Sequence, residues 1–382
     1  MKVRILGIAF FLLLLFGCEE ELRDFRQAEQ ETFVTIEATF SNIEQFHKIY
    51  LNESSPYISG DTSPKAISGA EIQIVDSLGG EFTFSEIGEG VYQSDLKVGA
   101  KQGHSYRLGI KLKNGKRYES DFQELLPPPV IGDIMDEFVL RNNFPENNAQ
   151  RYGFNVTVDF EDNKRTGQYY QWDWIHYERV MFCASCNNGY DYGKSDCSRT
   201  DENLPYYEKY NSDRPINYRC GNNCFDISRP PQFVLFADNL LNGQKINDFP
   251  VAKIPYDGAT DYYFELEMRT IQPEVFNYLN QLKETTQSNG SLFDIPANTP
   301  FSPNIRCVTE TRDKVLGVFS VFGAQKKLIY IKRNNLPSDV RPIFPIYLGR
   351  EAMAPPGSSI LPTVPCKEAK YRTKQEPENW HD

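Results

Sequence analysis

Short runs in which apolar and polar residues alternate, separated by turn residues, recur along the first third of this 382-residue chain. One run extends from Val34 to Phe40 and another from Tyr106 to Leu112. Such alternation indicates strands with one buried face, because successive side chains of a β-strand point to opposite sides of the sheet. About seven such strands fit within residues 31–126, which predicts an immunoglobulin-like β-sandwich. The 13% aromatic content, with 25 glycines and 24 prolines, supports an all-β fold class for the whole chain.

Turn residues and prolines divide the chain into segments. Asn114-Gly115 predicts a tight β-hairpin, because both residues tolerate positive φ angles. Pro127-Pro128-Pro129 cannot continue a hydrogen-bonded ladder, so we place a domain boundary there. Alternation resumes beyond it, and residues 130–350 are predicted to form a larger, mostly β domain with one short helix beginning at Pro273. Residues 351–382 are rich in proline and polar residues, and they are predicted to close the chain as an extended segment over this domain.

The N-terminus has the pattern of a targeting segment. Lys2 and Arg4 precede an apolar run from Ile5 to Phe16. The run is too short to span a membrane by itself, since a spanning helix needs about 20 apolar residues. Residues 1–17 are therefore predicted to be a signal peptide.

The cysteine that follows predicts how the chain is held at a membrane. Cys18 resembles the lipobox cysteine of bacterial lipoproteins, which becomes a lipidated N-terminus after cleavage. Its acyl chains would anchor the protein in outer-membrane lipid, with residues 18–30 as a flexible tether. Glu19, Glu20 and Glu21 resemble the export signal of Bacteroidota surface lipoproteins, so the protein is expected to face the cell surface. The alternative is an ordinary secretory peptide with an incidental cysteine.

Seven further cysteines are candidates for disulfide bonds: Cys183, Cys186, Cys197, Cys220, Cys224, Cys307 and Cys366. Cysteines of an exported chain pair in oxidising surroundings, and an odd number leaves at least one unpaired or bonded elsewhere. Residues 183–224 are predicted to be a disulfide-stapled insertion, too polar to build a core of its own. A separate Cys307–Cys366 bridge is predicted to pin the C-terminal segment. Zinc is the alternative for the cluster, because CxxC and CxxxC pairs can each supply two thiolates.

An aromatic stretch offers a candidate ligand platform. Strand alternation would place Tyr170, Trp172, Trp174 and His176 on one face of a sheet. That face could stack against a sugar ring or a peptide. The favoured alternative is a core face with a hydrogen-bonded histidine.

Motifs for catalysis are absent from the sequence. There is no HExxH, no GxSxG and no phosphate-binding glycine loop. No catalytic residue, cofactor or metal ligand is predicted, and the protein is not expected to be an enzyme. Asp159, Glu161, Asp162 and Asn163 form an acidic turn, for which a solvated turn is favoured over a calcium site. The net charge of −11 disfavours nucleic acid as a partner, because phosphate binding requires a basic surface.

Several motifs taken in order resemble a family of Bacteroidota outer-membrane lipoproteins of undefined function. They include SGAEI at 68–72, GHSYRL at 103–108, GSLFDIP at 290–296 and VLGVF at 315–319. Members of this family are typically encoded beside SusC-like TonB-dependent transporters. The resemblance supplies no catalytic residues and implies an accessory surface lipoprotein of such a transporter.

Three functions are compatible with these observations. The expected one is a non-enzymatic accessory or binding lipoprotein whose partner is a β-barrel TonB-dependent transporter. The first alternative is a surface hydrolase acting on glycans or peptides, suggested by the aromatic stretch and the many carboxylates. The second is a structural component of an outer-membrane assembly or adhesion complex. The sequence identifies no ligand.

Overall fold

The computed structural model confirms the all-β fold class: of the residues it describes, strands make up 54% and helix 5%. It describes residues 32–54, 65–143, 150–162, 167–200, 204, 214–238, 243–258, 260–287, 300–334, 336, 340, 349–369 and 371–381. The predicted signal peptide, Cys18, the three glutamates after it and the tether all lie outside these residues. Within them, one helix is present, and none is long and apolar enough to cross a bilayer.

Nine strands form within the first predicted domain. They are β1 (Val34–Ser41), β2 (Lys48–Glu53), β3 (Lys65–Ala66), β4 (Glu71–Asp76), β5 (Glu81–Gly88), β6 (Val91–Ser94), β7 (Ser105–Lys111), β8 (Arg117–Ser120) and β9 (Gln123–Glu124). The predicted Asn-Gly hairpin joins β7 to β8, with Gly115 at a φ of 87°.

The remaining elements follow the proline triplet. The first group is β10 (Val130–Asn143), β11 (Gln150–Glu161), β12 (Gln168–Arg179), β13 (Phe182–Cys186), β14 (Tyr190–Asp191), β15 (Asp196–Cys197), β16 (Ile216–Cys220) and β17 (Phe225–Ser228). The second is β18 (Val234–Asp238), β19 (Lys245–Pro255), β20 (Tyr262–Ile271), α1 (Pro273–Gln287), β21 (Ile305–Cys307) and β22 (Val315–Ile331). The C-terminal segment adds β23 (Arg350–Glu351), β24 (Thr363–Val364) and β25 (Arg372–Thr373).

The N-terminal strands belong to one continuous sheet around a shared core. Its order is β21-β8-β7-β4-β5-β6-β2-β1-β22, so each strand is hydrogen-bonded to its neighbours in that order. The predicted immunoglobulin-like sandwich is not confirmed, because such a sandwich has two separate sheets. Ile36, Phe40 and Tyr106 are among the fully buried side chains of this core. The predicted boundary at residues 127–129 stays a prediction, and β21 and β22 from beyond it complete this sheet.

Strand β22 connects the two cores. Its first half pairs in parallel with β1 and its second half pairs antiparallel with β20. Phe319 accordingly lies in the first core and Ile331 in the second. Gly317 allows β1 to approach closely, because a Cβ at this position would lie 2.0 Å from the carbonyl oxygen of Ile36. One continuous strand therefore fixes the two halves of the chain to each other.

The second core lies between two sheets. The three-stranded sheet β10-β11-β19 contributes Phe160 and Ile254, and the strands β12, β20 and β22 contribute Trp172 and Phe264. Helix α1 begins at the predicted Pro273 and packs a stripe containing Val275 against β22 and β20. The prediction of one core-packing helix is thus confirmed.

Candidate binding surface

The predicted aromatic platform lies in the second core. Tyr170, Trp172, Trp174 and His176 do share one face of β12, but all four side chains are buried. Trp172 is 1% exposed, and its ring lies 4.5 Å from that of Phe249, centroid to centroid. The platform hypothesis is therefore wrong, because a ligand cannot stack on rings that the opposite sheet already covers. Alternation identified the shared face but not what covers it.

His176 is held by contacts that satisfy both ring nitrogens. Nδ1 lies 2.8 Å from the carbonyl oxygen of Tyr263, and Nε2 lies 3.0 Å from a carboxylate oxygen of Glu178. Its ring stacks on Tyr262 at 3.6 Å, and the guanidinium of the buried Arg333 lies over the same tyrosine ring. These contacts give the histidine a structural role, as the favoured alternative predicted.

Within the predicted acidic turn, Glu161 is exposed but Asp162 is buried, at 3% exposure, and Asn163 lies outside the described residues. Tyr170 donates a hydrogen bond to its Oδ1 at 2.5 Å, and the backbone N–H of Gly243 donates to its Oδ2 at 2.8 Å. Burial raises the pKa of Asp162, and the neighbouring buried Asp238 raises it further. Both oxygens of Asp162 thus accept protein hydrogen bonds, and this arrangement gives no support to a calcium site.

Six of the seven candidate cysteines form three pairs at disulfide distance. The pairs are Cys183–Cys220, Cys186–Cys197 and Cys224–Cys366. The predicted Cys307–Cys366 bridge is wrong, because Cys366 pairs with Cys224. Cys307 is unpaired and buried in the first core, where its Sγ lies 3.3 Å from the hydroxyl of Thr309. The C-terminal segment is pinned as predicted, but to the insertion.

The insertion also has a small core, contrary to the sequence-based expectation. Cys186, Ile216 and Tyr218 pack there with Ala352 and Val364 from the C-terminal segment. Val364 lies in β24 and Ala352 directly follows β23, and both strands pair in parallel with β16. We call this unit, strands β13 to β16 with β23 and β24, the cysteine module. The polar residues of the insertion obscured this core in the sequence, and two of its members come from the distant C-terminal segment.

A loop of the cysteine module exposes large apolar side chains. Residues 353–362, the apolar loop, join β23 to β24. Ile360 is 77% exposed, and Met353 and Leu361 are exposed as well. Exposed apolar side chains on a turn form the kind of surface that another protein can cover.

Hydrogen bonds fix the shape of the apolar loop. The backbone N–H of Ser358 donates to the carbonyl of Pro355 at 2.9 Å, and Gly357 has a φ of 81°, as a type II turn requires at its third residue. The Ser358 hydroxyl then accepts a hydrogen bond from the N–H of Ile360 at 3.1 Å. Ile360 is therefore presented by a defined turn, and not by an unstructured connection.

The base of the apolar loop is held on both sides. The two ends pair with β16 and pack Ala352 and Val364 into the module core. Arg219 on β16 also donates to Glu351 at 2.7 Å, and this hydrogen bond lowers the pKa of the Glu351 carboxyl. The sequence had shown only a proline-rich segment here, although the run PPGSSILP contains both the turn and the exposed apolar pair.

Comparisons with known proteins give a family and no activity. A family model described as "Domain of unknown function (DUF4249)" matches residues 20–327. No curated protein matches the chain. The chain is similar to a crystal structure of a DUF4785 family protein from Legionella pneumophila, at 10% identity over 63% of this chain and 52% of that chain, with a TM-score of 0.18. The chain thus spans about half of that protein, and so low a score supports no argument about fold or function.

Proposed function

We propose a binding role for this chain, which belongs to the DUF4249 family of domains of unknown function. In this proposal the protein is a non-enzymatic, lipid-anchored accessory of an outer-membrane β-barrel transporter of the SusC-like, TonB-dependent class. It docks on that partner through the apolar loop. The observation that carries the proposal is the exposure of Ile360 and Leu361 on a turn held by the cysteine module.

Burial of the exposed pair would supply a large part of a docking free energy. Covering a Leu or Ile side chain completely is worth about 1.5–3 kcal/mol. Because hydrogen bonds, strand pairing and a disulfide already order the loop, little conformational entropy is lost when it binds. The apolar loop is exposed and already ordered, and it therefore suits insertion into a depression on a larger protein.

The predicted anchor supports the choice of partner. Lipid on Cys18 would confine the protein to the plane of the outer membrane, where the extracellular loops of a β-barrel are the nearest protein surface. Confinement raises the effective concentration of one partner at the other, so a single small contact can suffice for association. The family resemblance to lipoproteins encoded beside SusC-like transporters points to the same partner.

The hydrolase alternative rests on the aromatic stretch of β12 and on the many carboxylates. The aromatic rings of β12 are buried in the second core, which weighs against the first of these two grounds. A structural role in an envelope assembly is retained as an outcome of the experiment below, because it would also use an apolar docking surface.

The test is native purification from the producing bacterium with a tag at the C-terminus. Ile360→Ser/Leu361→Ser should lose the co-purifying barrel protein. Leu78→Ser is the matched control, because Leu78 is 75% exposed in the turn between β4 and β5 and should not contribute. Recovery of the same barrel with the double variant, or of no barrel with the wild type, would contradict the proposal. Recovery of other envelope proteins in its place would favour the structural role.

Cys18→Ser tests the anchor separately. The lipobox prediction requires this variant to appear in the soluble fraction, with its loop intact. A variant that still fractionates with the outer membrane would show that lipid on Cys18 is not what retains the protein.

A further inference from the structure

Three cysteine sulfurs lie close together where the cysteine module meets the C-terminal segment, and a fourth is bonded to one of them. The Sγ atoms of Cys183, Cys224 and Cys366 lie within 4.8 Å of one another. Cys220 is bonded to Cys183, so its sulfur adjoins the triplet. We propose that these four residues, once reduced, form a tetrahedral zinc–thiolate site, and that the two adjacent disulfides are the oxidised form of that site.

The spacing of the sulfurs fits this coordination. A zinc ion with four thiolates has Zn–S distances of about 2.3 Å, which places the sulfurs about 3.8 Å apart. To reach that spacing, Cys224 and Cys366 have to separate from each other, and Cys220 from Cys183, once both bonds are opened. Rotation of the side chains between staggered conformers can supply these movements.

Backbone hydrogen bonds at three of the four residues do not depend on the disulfides. The N–H of Cys220 donates to the carbonyl of Met181 at 3.1 Å, and the N–H of Val180 donates to the carbonyl of Cys224 at 2.8 Å. The N–H of Cys366 donates to the side chain of Asn222 at 3.1 Å. Cys220, Cys224 and Cys366 therefore keep these contacts when the bridges are opened.

The other cysteines of the chain provide internal controls. Cys186 and Cys197 are bonded to each other and are not part of the close triplet. Cys307 lies in the first core, away from the module. Zinc binding by the four clustered residues should thus be independent of these three.

The chemistry balances with a dithiol reductant. Each disulfide accepts two electrons and two protons, and each dithiol becomes a cyclic disulfide. Zn²⁺ then displaces the four thiol protons as the Zn–S bonds form, so binding should weaken as the pH falls. In both states Cys366 stays attached to the module, by a disulfide in one and through the metal in the other. The base of the apolar loop is held in either case, and the zinc proposal does not depend on the identity of a docking partner.

The experiment uses the chain from Glu19 onward, reduced with a dithiol and transferred without oxygen to a buffer containing Co²⁺. Tetrahedral cobalt–thiolate absorption should grow to about one ion per chain, and Zn²⁺ should displace it. Cys224→Ser and Cys366→Ser should abolish the absorption. Cys186→Ser/Cys197→Ser and Cys307→Ser should retain it. No absorption from the reduced wild type, or equal absorption from the Cys366→Ser variant, would overturn the proposal.

A second measurement tests whether reduction of the disulfides unfolds part of the protein and whether Zn²⁺ restores it. If the reduced wild type shows less strand signal by circular dichroism than the oxidised protein, Zn²⁺ should restore it, and it should not do so for Cys366→Ser. Failure of Zn²⁺ to restore the wild type would count against the site as strongly as missing cobalt absorption. Neither measurement requires the transporter, so failure of the docking experiment would leave this result standing.

Discussion

The three disulfides should differ in what they contribute to stability, and the difference can be calculated from the lengths of the loops they close. Cys224–Cys366 closes a loop with a sequence separation of 142, and Cys186–Cys197 one with a separation of 11. The two loops share no residue, so each can be removed alone. The double variants Cys224→Ala/Cys366→Ala and Cys186→Ala/Cys197→Ala delete each bond without leaving a free thiol.

Chain entropy sets the expected magnitudes. A cross-link lowers the entropy of the unfolded chain by an amount that grows with the logarithm of the loop length. The long loop corresponds to about 5 kcal/mol and the short loop to about 3 kcal/mol. Loss of Cys224–Cys366 should therefore lower the free energy of unfolding by about 2 kcal/mol more than loss of Cys186–Cys197.

Urea unfolding of the oxidised proteins, followed by tryptophan fluorescence, measures this difference. The transition midpoint should fall for both variants and fall further for Cys224→Ala/Cys366→Ala. The Cys307→Ala variant is the control for replacing a buried cysteine that closes no loop. If the two double variants unfold at the same urea concentration, or if the short-loop variant is the weaker one, loop closure does not explain how these bonds act.

Two further predictions concern backbone geometry and a buried acid. Gly317→Ala should lower the free energy of unfolding by more than about 4 kcal/mol, because its Cβ would meet the carbonyl of Ile36. Gly115→Ala, at a positive φ with open space around it, should lower it by about 1–2 kcal/mol. Thermal unfolding compares the two variants. Burial raises the folded-state pKa of Asp162 above its ordinary value of 3.8, so the wild type should lose stability as pH rises from 3.8 through that folded pKa. Asp162→Asn cannot ionise, and its stability relative to the wild type should therefore increase over that window in urea titrations at several pH values; a constant difference would show that Asp162 does not titrate there.

Local sequence signals predicted the elements that depend on neighbouring residues. The Asn114-Gly115 pair gave the hairpin between β7 and β8, and Pro273 gave the first turn of α1. The alternation from Val34 to Phe40 gave β1 with the correct buried face. Each of these signals works because turn geometry, helix capping and strand alternation act over a few residues.

Partners distant in sequence could not be predicted in the same way. Alternation in β12 showed that Trp172 and His176 share a face, but the cover for that face comes from β11 and β19. Similarly, Val315 to Phe322 falls within the predicted second domain, and the structure pairs it with β1 at the start of the chain. A run of residues records that a face is buried, and it does not record which segment buries it.

The apolar loop illustrates how such distant pairing produces a surface. The ends of the loop are fixed because Ala352 and Val364, on either side, pack into a core built mostly from residues 186–218. The insertion gains these two residues from the C-terminal segment, and Cys224–Cys366 joins the two covalently. The insertion and the C-terminal segment thus pack as a single unit, and under the proposed function its order would limit the entropy that the loop loses when Ile360 meets a partner.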